Sequence, residues 1–292
     1  PTHMMTKDER IALISLPIVI LIGVGFAVAG SMGEPKVLGL PLFAFGVCVA
    51  FLIQWAMFIP SYLGKTEKYY DLTGGTTYLT VIIIGVLSSP TIDIRSLLLA
   101  ALVSIWAIRL ATFLFRRIHK AGKDERFDTI KSSFLRFLLA WTLQGLWVTF
   151  TLATALAAIT TPIKQSLGWF AVVGLVLWVI GFGFEAIADA QKSAFKADPT
   201  NKGRFIQSGL WSKSRHPNYF GEIVIWIGVA IIAFPVLQGW QYATLISPVF
   251  VMLLLTKISG IPILEKRADK TWGGQADYES YKQNTPILIP KF

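Results

Sequence analysis

Long apolar blocks alternate with short, polar and mostly basic segments along this chain. Eight blocks stand out, at roughly 10–30, 37–60, 76–90, 96–117, 133–160, 167–189, 220–237 and 241–259. A helix needs about 20 residues to cross a hydrocarbon core about 30 Å thick, and a soluble core has no use for so many runs of that length. The third block is short and carries Thr and Ser. The last two are parted only by Leu237-Gln-Gly-Trp240, a turn-like break after Pro235. The pattern therefore predicts an all-α, polytopic integral membrane bundle of seven or eight transmembrane helices. Neither an internal repeat nor a linker divides it, so one membrane domain is expected over residues 1–292.

Composition and charge give this bundle an orientation. Hydrophobic residues make up 54% of the 292 positions and charged ones 15%, against about 25% charged in soluble domains. The net charge of +10 is unevenly spread: 23 of the 27 Lys and Arg fall in 1–10, 61–74, 116–136, 189–221 and 257–292. The alternate segments hold Lys36, Arg95 and Lys164, and Arg109 lies inside a span. Such asymmetry marks cytoplasmic loops and not nucleic-acid binding. It fits eight spans with both termini in the cytoplasm. One cysteine, Cys48, and three histidines rule out an internal disulfide and make a metal centre implausible. Pro1 to Met4 read as a cloning remnant, and the first apolar block, lacking a cleavage site, as a span.

Polar residues within apolar helices carry the candidate chemistry, because a charge at mid-membrane needs a partner or a watery cavity. Gln54 and Arg109 are two such positions. Glu185 and Asp189 close the sixth block at i,i+4 spacing, with Lys192 and Lys196 continuing near the same face. Helix-end solvation and snorkelling are the alternative reading. The run Gly209-Leu-Trp-Ser-Lys-Ser-Arg-His-Pro-Asn-Tyr-Phe-Gly-Glu222 joins a basic loop to an apolar helix. Pro217 suits a first helical turn, whose free N–H groups favour an anion. Arg215 adds a fork for phosphate or carboxylate, and Asn218 and Glu222 share a face. This is a cradle for an anionic, hydrogen-bonding ligand, or an anchor for lipid headgroups. The polar, aromatic C-terminal segment is expected to fold back as a lid over the loops, or to lie on the bilayer. Gly181-Phe-Gly183-Phe-Glu-Ala186 matches a dinucleotide fingerprint but lies within a membrane helix, where glycines serve close packing.

Ser-Arg-His-Pro-Asn-Tyr-Phe-Gly-Glu222 with Trp226-Ile-Gly228, and an ending Tyr281…Ile-Leu-Ile-Pro290, resemble the steroid 5α-reductase family of membrane enzymes, above all its bacterial relatives. Sterol Δ14-reductases share the Arg-His-Pro-Asn-Tyr block, and isoprenylcysteine carboxyl methyltransferases share a shorter Arg-His-Pro-x-Tyr. The resemblance covers about 180–292. It implies a helical bundle in which 133–292 holds NADPH in a cytoplasm-facing cavity capped by the C-terminal segment, while 1–132 faces the substrate. The implied reaction reduces a carbon–carbon double bond conjugated to a ketone in a lipophilic, steroid-like substrate, by a monomeric enzyme in the lipid bilayer.

By that resemblance Asn218 and Glu222 match cofactor-contacting residues, Asp189 an acidic position on the preceding helix, and Arg204 a loop arginine. Glu185 stands where the reductases carry Asn. Arg116 and Arg117 match basic residues after the helix of Arg109. Lys257, Glu265 and Arg267 are the C-terminal candidates. With Lys192, Lys196, Arg215, His216 and Tyr219 these complete the expected cofactor set. The proton donor of the steroid enzymes has no direct match: Gln54 is followed by Trp55, and Trp106 takes the place of a Tyr. Tyr69, Tyr70 and Asp71 are substitutes, and Gln54, Tyr70, Asp71 and Trp106 form the expected catalytic set. The alternative function is an S-adenosylmethionine-dependent methyltransferase of the isoprenylcysteine type.

Overall fold

The computed structural model describes residues 4–292; most of the segment read as a cloning remnant, Pro1 to His3, lies outside them. The helices are α1 Lys7–Gly30, α2 Leu42–Leu63, α3 Tyr70–Ser88, α4 Ile94–Ala121, α5 Phe134–Thr160, α6 Trp169–Ala197, α7 Pro217–Ala233, α8 Ile246–Leu253, α9 Gly260–Trp272 and α10 Ala276–Asn284. A tight hairpin, β1 Lys36–Val37 with β2 Leu40–Pro41, joins α1 to α2. Eight helical stretches are long and apolar enough to cross a membrane. The seventh runs Pro217–Val236 and the eighth Gly239–Trp272, so the break at Leu237 separates two such stretches, and among the described residues they number eight. Several helices outrun the apolar blocks: α6 continues to Ala197 and the eighth stretch to Trp272. Hydropathy marks where a helix meets lipid, whereas the helix itself ends where its hydrogen-bonding ladder does.

The chain divides into two compact units, Pro1–Leu167 with Ala233–Ile246, and Gly168–Ile232 with Ser247–Phe292. In the first unit α5 is the axis; every residue from Thr151 to Thr160 is buried. Helix α1 shows the opposite face of the same physics. Ala12, Leu16, Val19, Gly23 and Ala27 turn inward at helical spacing, while Leu21 and Val28 stay 68% and 70% exposed. So wide an apolar outer face is suited to lipid. Charged contacts tie the loops at each end of this unit. At one end Glu67 meets Asp124 and Lys131, and Glu9 accepts from Ser133. At the other, Lys164 faces Asp93 at 3.7 Å and Arg95 donates to the Gln165 carbonyl at 2.7 Å. Alternate loops thus gather at opposite ends, as an up-and-down bundle requires.

In the second unit α6 and α7 touch backbone to backbone. A Cβ built at Gly174 would lie 2.5 Å from the Gly228 carbonyl oxygen, and one at Gly181 2.5 Å from that of Gly221. The two glycines of each helix are two turns apart and share a face. Gly183, by contrast, faces open space. Five residues in π-helical conformation, Leu254–Ile258, separate α8 from α9; such bulges break the hydrogen-bonding register and often mark functional sites. Gly260 follows, where a Cβ would meet the Tyr219 ring at 2.8 Å.

Candidate functional site

The close α6–α7 crossing brings two of the predicted residues into contact. Asn218, in the first turn of α7, donates through Nδ2 to Asp189 Oδ1 at 3.1 Å. Asp189 and Glu185 are buried, at 6% and 2% exposure. Asn218 Oδ1 is also buried and meets no partner among the described residues. An acceptor in that position costs about 1–3 kcal/mol if nothing donates to it. The Asp189 bond fixes which end of the amide is the acceptor, so the site asks for an N–H or O–H donor. That fits the carboxamide or ribose hydroxyls of a nicotinamide dinucleotide.

A second cluster adjoins the start of α7. Arg215 Nη1 and His216 Nε2 both bond the Glu265 carboxylate of α9, His216 at 2.7 Å. Burial pulls the His216 pKa below its ordinary value, with the Glu265 hydrogen bond opposing. A neutral imidazole makes this bond with its proton on Nε2, since a carboxylate only accepts. The His216 ring stacks near parallel to Tyr219, centroids 5.7 Å apart.

The C-terminal segment lies back over this loop. Pro286 and Thr285 carbonyls accept from the Arg215 N–H and Nε, the Leu288 carbonyl from Ser214 Oγ at 2.7 Å, and Lys291 N–H donates to Lys213. Tyr281 donates to the Trp211 carbonyl at 2.6 Å. Lys192 sits 4.6 Å from the Trp211 ring centroid, and Lys196 is exposed on the last turn of α6. Arg204 lines a cavity of about 390 Å³. Lys257 lies in the π-helical turn and Arg267 is exposed on α9. Glu222 is half-buried one turn beyond Asn218.

The remaining predicted residues belong to the first unit. Gln54 is wholly buried; its Nε2 donates to Thr77 Oγ1 at 2.7 Å and its Oε1 accepts from Gln144 at 2.8 Å. Tyr70 donates to the Ala140 carbonyl at 2.8 Å. Asp71 opens α3 half-buried, and Trp106 is buried edge-on to Tyr78 at 5.0 Å. Arg109 and Arg117 both approach the Phe113 ring at 5.9 Å, and Arg116 and Arg117 are exposed at the end of α4. Gln144 escaped the sequence reading, although an amide inside an apolar block is the same signal that singled out Gln54. Ser214 and Gln191, which hold the loop by donating to the Leu288 carbonyl and by accepting from the Leu210 N–H at 3.0 Å respectively, gave no such signal. Among the described residues no His, Cys, Asp or Glu cluster could hold a metal ion.

A family model described as "Protein of unknown function (DUF1295)" matches residues 57–285. A curated protein from Ustilaginoidea virens, named "Probable O-methyltransferase ustE", is 30% identical over 70 residues. That stretch covers 24% of this chain and 25% of the relative, so the chain spans about a quarter of that protein. No solved structure matches.

Proposed function

The chain belongs to the family described as protein of unknown function (DUF1295), and on that premise we propose that it is a membrane-embedded, NADPH-dependent reductase. Its substrate is a lipophilic, steroid-like molecule whose carbon–carbon double bond is conjugated to a ketone. The observation that carries this reading is the buried, unpartnered Asn218 Oδ1, held in place by Asp189. The resemblance of the Arg-His-Pro-Asn-Tyr…Glu222 stretch to the steroid 5α-reductases supports it.

When bound, NADPH supplies the hydride for the β-carbon of the enone. The chain's part is to bind, orient and protonate. Asn218 accepts from the cofactor, and Asp189 holds the amide so that it can. Arg215 and Lys192 supply positive charge for phosphate, Arg215 by exchanging its Glu265 partner. The enolate oxygen needs a hydrogen-bond or proton donor. We further propose that both termini are cytoplasmic, as the basic segments require.

Saturating NADPH is expected to raise the melting temperature of the detergent-solubilised protein well beyond the effect of NADH. Asn218→Ala should weaken NADPH binding about tenfold or more, the cost of one buried hydrogen bond to a ligand. If neither nucleotide shifts the melting temperature, the reading fails. A second reading is favoured by the relative named an O-methyltransferase: an S-adenosylmethionine-dependent membrane methyltransferase. Tight binding of S-adenosylhomocysteine without binding of NADPH would select it.

A further inference from the structure

We infer that the cavity at the cytoplasmic ends of α6 and α9 receives an adenosine group. This rests on the reading that the protein uses a nucleotide-type cofactor, and it names the residues that take the end of that cofactor farthest from the chemistry. The cavity, about 390 Å³, falls at the small end of ligand sites, about 300–1,000 Å³. It has room for a nucleoside but not for a whole dinucleotide or a sterol beside it.

Its lining has the three things an adenosine needs. Flat aromatic surface comes first. Phe195, Phe205 and Trp272 line the space, and base–aromatic stacking is worth about 1–3 kcal/mol per base. Phe205 is braced by rings on several sides, with Trp272 at 5.7 Å and Tyr278 at 5.3 Å between centroids. Trp272 is pinned because its Nε1 donates to the Gly203 carbonyl at 2.9 Å. The aromatic walls are thus set before any ligand arrives.

Edge recognition comes second. An adenine presents an amine donor beside ring-nitrogen acceptors, and a side-chain amide offers the complementary pair. Asn201 spends its Nδ2 on the Phe195 carbonyl at 3.0 Å, which leaves Oδ1 as the acceptor. Gln207 brings a second amide and Asp277 a carboxylate that can accept from ribose hydroxyls. So polar a lining disfavours a hydrocarbon substrate.

Charge comes third. Arg204 is the cation of the lining, and its fork suits a phosphate on the ribose. Adenosine is common to NADPH and to S-adenosylmethionine, so the cavity serves either reading. Arg204 distinguishes them, because only the first carries phosphate.

The test uses the full chain in nanodiscs and isothermal titration with NADPH, adenosine 2′,5′-bisphosphate and S-adenosylhomocysteine. Gln207 is exposed, so Gln207→Trp should fill the cavity without disturbing the fold, which an unchanged melting temperature verifies; Asp277→Asn is the milder second variant. Gln207→Trp is expected to weaken every adenosine ligand that the wild type binds by about tenfold, and Asp277→Asn to weaken them less. Arg204→Ala should weaken only the phosphate-bearing ligands. If NADPH binds the wild type and the folded Gln207→Trp and Asp277→Asn variants equally, the cavity assignment falls and the reductase stands. If S-adenosylhomocysteine alone binds, and loses affinity in Gln207→Trp, the assignment stands and the reductase falls. If no adenosine ligand binds the wild type, both fall.

Discussion

Glu67 is 4% exposed, accepts from the Asp124 N–H at 2.8 Å and faces Lys131 Nζ at 2.8 Å. Burial alone would raise its pKa; the Lys131 bond and the backbone donor outweigh it and hold the carboxyl below its ordinary value. Its contribution to stability is therefore complete above the unfolded value near 4.3 and lost as pH falls through the lower folded value. Glu67→Gln is expected to lower stability by about 1–3 kcal/mol, read as a drop in melting temperature at neutral pH. His216 works at milder pH. Its folded pKa is depressed by burial, so the unfolded chain takes the proton first and stability declines as pH falls below about 6.5. His216→Gln should flatten the melting temperature between about pH 7 and 5, where the wild type slopes downward. Such contacts were not legible in the sequence. The partners of Glu67 lie 57 and 64 residues away and that of His216 lies 49 away, beyond the reach of any local pattern. Asn218 and Asp189 could be named as candidates because each sits at the polar end of an apolar block, one helical turn from a glutamate, but not as a bonded pair.

Among the elements, α6 and α7 depend on what is missing from their surfaces. A side chain at Gly181 or Gly221 would have to occupy the other helix's backbone. Gly181→Leu is expected to abolish assembly of this pair, seen as loss of monodisperse protein in detergent, while Gly183→Ala should be tolerated. The sequence reading foresaw close packing at Gly181 and Gly183 but not which of the two faced the neighbour, since that depends on the rotation of α6. Spans were legible where lipid demands continuous apolar surface, and the ends of their helices were not. Lys192 and Lys196 extend α6 beyond its apolar block by the same ladder that built it, and hydropathy is blind to that. The break at Leu237 was legible as a turn, while the π-helical turn at Leu254–Ile258 left no trace in composition.

For the whole molecule, the charge pattern and the loop contacts make one topological statement. With Cys48 replaced by Ser, a Cys at position 36 should react with an impermeant maleimide added outside intact cells, and a Cys at position 120 should not. The reverse labelling would invert the bundle and with it the proposed cytoplasmic access. The basic segments are what suggest that orientation, whereas the division into two units had no signature in the chain, because no linker accompanies it. One further consequence follows from the backbone contact of α6 with α7. Helices meeting through glycines have no side chains between them that could repack to fill a gap. Release of the C-terminal segment beside the start of α7 would break the bonds to Lys213, Ser214 and Arg215 together. Ligand entry would then be slow and steeply temperature-dependent even when affinity is high, so brief incubations in the cold would mistake a tight binder for a weak one.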